Sequence, residues 1–314
     1  MKNITKTIVF LLAIALCMSF VSCNQEETNE YELVFKQNAD EKTYSVIGYS
    51  GSPDQVVIPS SYNGGTVTSI DDSAFSGCES LTSITIPSSI TEIGDEAFYK
   101  CKALTKAVIP DSVTKIGRAA FSGCTSLTAV AIPSSVTKIG GSAFSGCESL
   151  KNIDIPSSVT VIGDCAFDGC GSLTFSEHSN GLYLGNSANP YLIFIGIKDR
   201  SKVQVENFSI NPRTKFIYSQ AFSGCTSLTS ITLPDRVTKI GGSAFLGCTS
   251  LESITISDSL TEIAYHTFEG CEALNTINFN GTIRQWENIS KITDWNHNTG
   301  DYTVHCTDGN ITKE

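Results

Sequence analysis

Short runs of alternating apolar and small polar residues recur along most of the chain, each followed by a sparser apolar beat. Leu81-Thr82-Ser83-Ile84-Thr85-Ile86-Pro87 shows the pattern. Alternation with period two predicts a half-buried strand, and Pro87 ends its pairing run because proline has no N–H to donate. Ile90 and Ile93 give the second beat, Gly94 predicts a turn, and Asp95-Glu96-Ala97-Phe98 predicts one short helical turn leading to Cys101. The next strand starts at Leu104. The same order returns with a fixed interval. Phe75, Phe98, Phe121, Phe144 and Phe167 lie 23 residues apart, and Phe222, Phe245 and Phe268 resume that spacing. A cysteine follows each phenylalanine by three: Cys78, Cys101, Cys124, Cys147, Cys170, Cys225, Cys248 and Cys271.

One such unit offers Leu81, Ile84, Ile86, Ile90, Ile93, Ala97 and Phe98 to an interior. Burying these recovers less free energy than fixing the unit's backbone costs, so a unit cannot fold alone and must stack on its neighbours. Period and wording together, Leu-x-x-Ile-x-Ile with Ile-Pro-Ser-Ser-Val-Thr-Lys-Ile-Gly and Ala-Phe-Ser-Gly-Cys-x-Ser-Leu-Thr, closely resemble the BspA-like leucine-rich repeats of bacterial surface proteins. The resemblance covers about residues 31–309. It implies a leucine-rich-repeat solenoid of 23-residue units, mostly β with short helical turns, over residues 56–279. It also implies a non-catalytic protein-binding or adhesion role.

An open stack exposes an apolar end at each terminus, so caps are expected. Tyr31 to Phe35 and Thr43 to Ile47, separated by polar residues, predict a hairpin cap within residues 31–55. Downstream, Ile283, Trp286, Ile289, Ile292 and Trp295 predict a C-terminal cap over 280–314, with Thr303 to Cys306 as a final strand. The two tryptophans read as cap core, or alternatively as an aromatic platform for a sugar. Between Phe167 and Phe222 the interval is 55, one repeat plus 32 residues. Val205, Phe208, Ile210 and Ile217 restore the apolar phase, which places the extra residues at about 175–202. There Leu182-Tyr183-Leu184 and Tyr191 to Ile195 bracket a polar, glycine-containing segment. This predicts a hairpin standing off the solenoid while the stack continues beneath. Tyr183, Asn186, Asn189 and Tyr191 are its candidate contact residues, and a second internal cap or brace is the alternative.

The N-terminus places Lys2 and Lys6 ahead of an apolar run from Ile8 to Met18, the order of a secretory signal. The run is too short to span a bilayer. Phe20-Val21-Ser22-Cys23 resembles a bacterial lipobox, which implies a lipoprotein signal peptide over 1–22, acylation at Cys23 and a tether over 23–30. Cleavage near Ser22 without lipid is the alternative. The acidic residues after Cys23 resemble the signal that sends some Bacteroidetes lipoproteins to the outer face. The implied location is the outer membrane, exposed at the cell surface or facing the periplasm, with membrane contact through the lipid alone. Formal charge is −11, and loss of Lys2 and Lys6 makes it more negative still, which argues against nucleic acid as a partner.

Chemistry is sparse. The four histidines, His178, His266, His297 and His305, show no metal-ligand spacing, and His305-Cys306 is too little for a zinc site. Gly48-Tyr49-Ser50-Gly51-Ser52 misses the nucleophile-elbow pattern. No cofactor motif is present. In-register stacking would hold the repeat cysteines with parallel Cβ vectors at about 4.8 Å, whereas a disulfide wants about 3.8 Å, so buried free thiols are expected. Two outward columns, from Thr82 through Thr105, Thr128 and Lys151 and from Thr85 through Val108, Ala131 and Asp154, are mostly small, as suits a scaffold or a broad contact surface. Asp72-Ser73-Ala74, Asp111-Ser112-Val113 and Asp258-Ser259-Leu260 match the O-glycosylation triplet of Bacteroidetes, which makes Ser73, Ser112 and Ser259 candidate acceptors; turn chemistry accounts for Asp-Ser equally well. The expected partners are host or microbial surface proteins. Glycan capture by Trp286, Trp295, Tyr183 and Tyr191, or an inert envelope spacer, are the competing readings.

Overall fold

The computed structural model describes residues 31–199 and 208–313. The chain winds as a β-solenoid whose coils are held together along three backbone ladders. The first joins Gln55–Val57, Ser83–Thr85, Lys106–Val108, Ala129–Ala131 and Asn152–Asp154 into a parallel sheet. In each strand the middle residue (Val56, Ile84, Ala107, Val130, Ile153) is buried and its two neighbours are exposed, as period two requires. The second ladder is shorter, two residues per coil, and runs through Glu92–Ile93, Lys115–Ile116, Lys138–Ile139 and Val161–Ile162.

The third ladder replaces the short helical turns that the sequence predicts. Glu96, Ala119 and Ser142 adopt φ of 58°, 52° and 55°, which breaks a right-handed helical turn. Alternate N–H groups then point along the solenoid axis. Those of Ser73, Phe75 and Gly77 donate to the carbonyls of Asp95, Ala97 and Tyr99 at 2.8, 2.8 and 2.7 Å, and the coils beyond repeat this. Bonding to the next coil outweighs the left-handed penalty because the turn's donors would otherwise be buried unpaired. Close approach elsewhere demands glycine: a Cβ on Gly117 would sit 2.4 Å from the carbonyl carbon of Gly94.

The interior is a stack of identical side chains. Phe75, Phe98, Phe121 and Phe144 are fully buried, with successive ring centroids 5.4, 5.1 and 5.4 Å apart and planes within 17° of parallel. The repeat cysteines are buried free thiols. Each does more than fill space, since Cys101, Cys124, Cys147 and Cys170 donate from Sγ to the carbonyl of the phenylalanine 26 residues earlier at 3.1 to 3.2 Å. Threonines add a surface ladder: Thr105 and Thr128 Oγ1 each donate 3.2 Å to the carbonyl one coil back. The column headed by Thr82 is therefore engaged in holding coils together, and the outward face belongs to the residues beside it.

At the N-terminus Glu32–Gln37 pairs antiparallel with Thr43–Ser50, which continues in parallel into Gly65–Ile70. At the C-terminus the helix Ile283–Asn288 opens on a Thr282/Gln285 capping box and buries Trp286, and Thr303–Cys306 and Gly309–Thr312 close the last sheet. Trp295 is half-buried, its ring 6.1 Å from that of Trp286 and 6.0 Å from that of Phe268.

The extra residues do not stand off the stack. Tyr183 and Phe194 are fully buried. Gly181–Leu184 pairs antiparallel with Ile193–Ile197, which pairs in parallel with Phe216–Ile217 in the register of the second ladder, Ile193 opposite Phe216. Residues 176–197 thus form a coil of their own, enlarged by a hairpin, because their apolar residues are numerous enough to need an interior. Among the described residues both ladders stop at Asn152–Asp154 and Val161–Ile162, and new sheets begin beyond this coil. Side chains take over where backbone pairing lapses. The N–H of Phe167 donates to the Tyr218 hydroxyl at 2.7 Å, which in turn donates to Asp168 at 2.8 Å, and the N–H of Cys165 donates to Ser219 Oγ at 3.0 Å.

Three outcomes follow. Phe121→Ala should cost about 3–5 kcal/mol, read as a lowered urea midpoint, because the ring's contacts on both sides vanish. Tyr218→Phe should cost about 1–3 kcal/mol by leaving the Phe167 N–H buried without an acceptor. Burial pushes the Cys101 thiol up to about 12 and that of Cys170 up to about 11, from an ordinary value of 9.0. Their neutral forms belong to the folded state, so stability should hold below pH 9 and decline as pH rises towards 11–12, measured as melting temperature against pH.

Candidate functional site

The outer face of the first sheet presents Ser83, Thr85, Val108, Ala129, Ala131 and Asn152 to solvent, with Val108 54% exposed. It carries few charges and ends against the enlarged coil. There the segment from Gly185 to Pro190 rises as a wall and encloses a groove of about 590 Å³ with Val108, Ala131 and Asp154 on its floor side. Among the described residues Asn152–Asp154 pairs only with Ala129–Ala131, so the wall stands beside a sheet edge.

Two asparagines fix that wall. Asn186 Nδ2 donates to the Ile155 carbonyl at 2.6 Å, while its Oδ1 accepts from the N–H groups of Ala188 and Asn189 at 3.0 and 2.8 Å. Asn189 Nδ2 donates to the Arg213 carbonyl at 3.1 Å. One asparagine therefore pins the segment to the first stack and the other to the second. The exposed residues between them are Ser187 and Ala188.

Of the candidate contact residues, Tyr183 borders the groove but its ring is buried in the core, its hydroxyl accepting from the N–H of Asn211 at 3.2 Å, because alternation turns the ring inward beside Phe194. Tyr191 is half-buried edge-on to Tyr183, ring centroids 5.4 Å apart. Asn186 lines the groove, and Asn189 lines a second recess of about 550 Å³ on the far side of the wall. The aromatic platform for a sugar is likewise not formed, since Trp286 and Tyr183 are buried and Trp295 packs against the last coil. Ser73 and Ser259 are exposed, whereas the Ser112 hydroxyl donates to the Ile90 carbonyl. Cys23, the leader and the tether lie outside the described residues, as does Val205.

The residues missed from the sequence are basic. Arg213, Lys215 and Arg236 line the second recess. A signal existed: aligning coils by the period puts Arg213 and Arg236 where the first stack carries Ser89, Ser112, Ser135 and Ser158.

Among the described residues no group of three or more His, Cys, Asp or Glu is placed to hold a metal ion. His266 Nδ1 lies 2.8 Å from Glu269, and His305 Nδ1 is 3.0 Å from Asn310. The half-exposed Cys165 has its thiol pushed up to about 11 by burial and by Asp168, the reverse of what a nucleophile needs. No helix among the described residues is long and apolar enough to cross a membrane.

The profile of the BspA-type leucine-rich-repeat region matches residues 49–174 and 200–292 in six copies. Among solved structures the chain is similar to a leucine-rich-repeat protein of Bacteroides ovatus, at 29% identity over 85% of this chain and 80% of that one, TM-score 0.48. It is similar to a leucine-rich cell surface protein of Faecalibacterium prausnitzii, at 28% identity over 82% and 95%, TM-score 0.34. It is also similar to the pneumococcal vaccine antigen PcpA, at 20% identity over 87% and 85%, TM-score 0.38. A comparison with curated proteins gives no match. Since the repeat profile spans well over half of its length, the chain belongs to the BspA-type leucine-rich-repeat family.

Proposed function

We propose that this repeat protein is a non-catalytic, protein-binding adhesion module held at the cell surface by acyl chains on Cys23, and that it engages a surface protein of a host or another microbe. The observation that carries this reading is the outer face of the first sheet together with the wall at its end. Val108, Ala129 and Ala131 give a flat surface of small, weakly hydrated groups whose desolvation on contact costs little. The wall adds a concave boundary that fixes where a partner stops. Such a surface is broad and shallow, which suits a macromolecular partner better than a small substrate. The lipidated tether is supported by the sequence of the leader, and the surface location by the acidic residues that follow Cys23.

The test is capture of extracellular matrix and bacterial surface proteins by the mature chain, followed by affinity measurement on variants. Val108→Arg and Ala131→Arg, each on an exposed position, should weaken binding at least tenfold while leaving the melting temperature within a few degrees, since surface substitutions are usually near neutral in stability. Affinity unchanged in both variants would refute this face as the contact surface. Globomycin-sensitive processing and a mass consistent with acylated Cys23 should accompany export; a mature N-terminus elsewhere would refute the anchor.

A further inference from the structure

The second recess breaks the pattern of the molecule around it. In the first stack Ser112, Ser135 and Ser158 turn their hydroxyls along the axis onto the carbonyls of Ile90, Val113 and Val136. Past the enlarged coil the same column holds Arg213 and Arg236, then Ser259. Two guanidinium-bearing side chains thus start from consecutive coils, about 4.8 Å apart along the axis, and both are exposed. Lys215 lies beside them, half-buried, donating 2.9 Å to the Val159 carbonyl across the joint. Burial depresses its affinity for the proton. Among the described residues none of the three forms an ion pair within 4 Å, and no acidic residue lines the recess, although the chain as a whole is strongly acidic. Arg213 spends one donor on the Ala188 carbonyl, which leaves most of its fork free. Three like charges gathered without a counter-charge oppose folding and favour an anion in the space between them.

The remaining lining decides what kind of anion. Coil backbones here are already paired, with the N–H of Lys215 donating to Leu192 and that of Thr238 to Lys215, so an incoming peptide would find no free main-chain partners. Ala188 and Leu192 provide too little apolar surface for side-chain pockets. The exposed hydroxyls of Ser157 and Ser259 do line the space, with Thr238 and Asn189 beside them already bonded to Lys215 and to Arg213 and Tyr191. Cations for acidic groups plus hydrogen-bonding groups for hydroxyls, with no aromatic platform, describe a site for an acidic sugar. We propose that the recess between the two stacks binds an anionic saccharide, its carboxylate or sulfate groups held by Arg213 and Arg236 with Lys215 beneath. This site is separate from the protein-binding face on the other side of the wall and does not depend on it.

Calorimetric titration of the mature protein at low ionic strength tests the assignment, with digalacturonate and a sulfated lactose as the acidic sugars. Lactose, inorganic sulfate and hexaglutamate serve as comparators. At least one acidic sugar should bind; whether the carboxylated or the sulfated one binds more tightly identifies the source of the charge. Arg236→Ser should weaken it at least tenfold, and Arg213→Ser with Arg236→Ser should abolish it. Serine is the residue the first stack uses at this position, so both variants should fold with melting temperatures equal to or above the parent's. Val108→Arg should leave sugar binding unchanged. Lactose binding as tightly as its sulfated form, sulfate alone matching the sulfated sugar, hexaglutamate exceeding both sugars, no binding by either acidic sugar, or unchanged affinity in the arginine variants would each overturn the proposal.

Discussion

Each coil of this solenoid leaves many of its backbone donors and acceptors pointing at its neighbours, and the 23-residue register is the spacing at which they find partners. Unpaired buried N–H and C=O groups are costly, so the requirement is strict. It explains features that look unrelated. Left-handed Glu96, Ala119 and Ser142 exist because alternating turn geometry aims N–H groups at the next coil. Glycine recurs at Gly94 and Gly117 because carbonyls one coil apart come too close for a Cβ. The phenylalanine column, the thiol-to-carbonyl bonds and the threonine ladder all repeat at the same interval because each reads out that one register.

The enlarged coil is where the register lapses, and the groove and the cationic recess lie against it. Among the described residues the two strand ladders stop at Asn152–Asp154 and Val161–Ile162, and the coils on either side are joined by the Ile155 N–H to Gly185 carbonyl bond and by the side chains of Tyr218, Ser219, Lys215, Asn186 and Asn189. Side-chain bonds of this kind set a local geometry that uniform stacking cannot produce. The same segment, Gly185 to Pro190, is wall to the groove on one side and to the cationic recess on the other. A regular solenoid would present an even surface along its whole length. Here the groove and the cationic recess both adjoin the place where the period is broken.

Much of the architecture was legible in the sequence because the signal repeats: one phenylalanine is ambiguous, but runs of five and three at one interval specify a stacked column. The turn conformation was hidden because Asp95 to Phe98 has ordinary helical character, and its left-handed geometry comes from bonds to residues 22 positions on. Tyr183 misled for a related reason. A tyrosine beside Gly181 and Asn186 suggests a surface hairpin, and only the in-register pairing of Ile193 with Phe216 shows that this hairpin closes a coil. The site was the least legible. Val108 and Ala131 are unremarkable β-formers, and Arg213 and Arg236 become conspicuous only when each coil is compared with the serine-bearing coils before it.

The enlarged coil shapes the recognition surfaces and is not needed to hold the stack together. Replacing residues 168–199 with a regular 23-residue coil copied from residues 145–167 tests it directly, read by thermal unfolding. Continuous ladders should then run through the former joint, and the variant should melt in a single transition above the parent's. A variant that melts below the parent, or that fails to fold, would show that the enlarged coil is itself a structural necessity and would contradict the account.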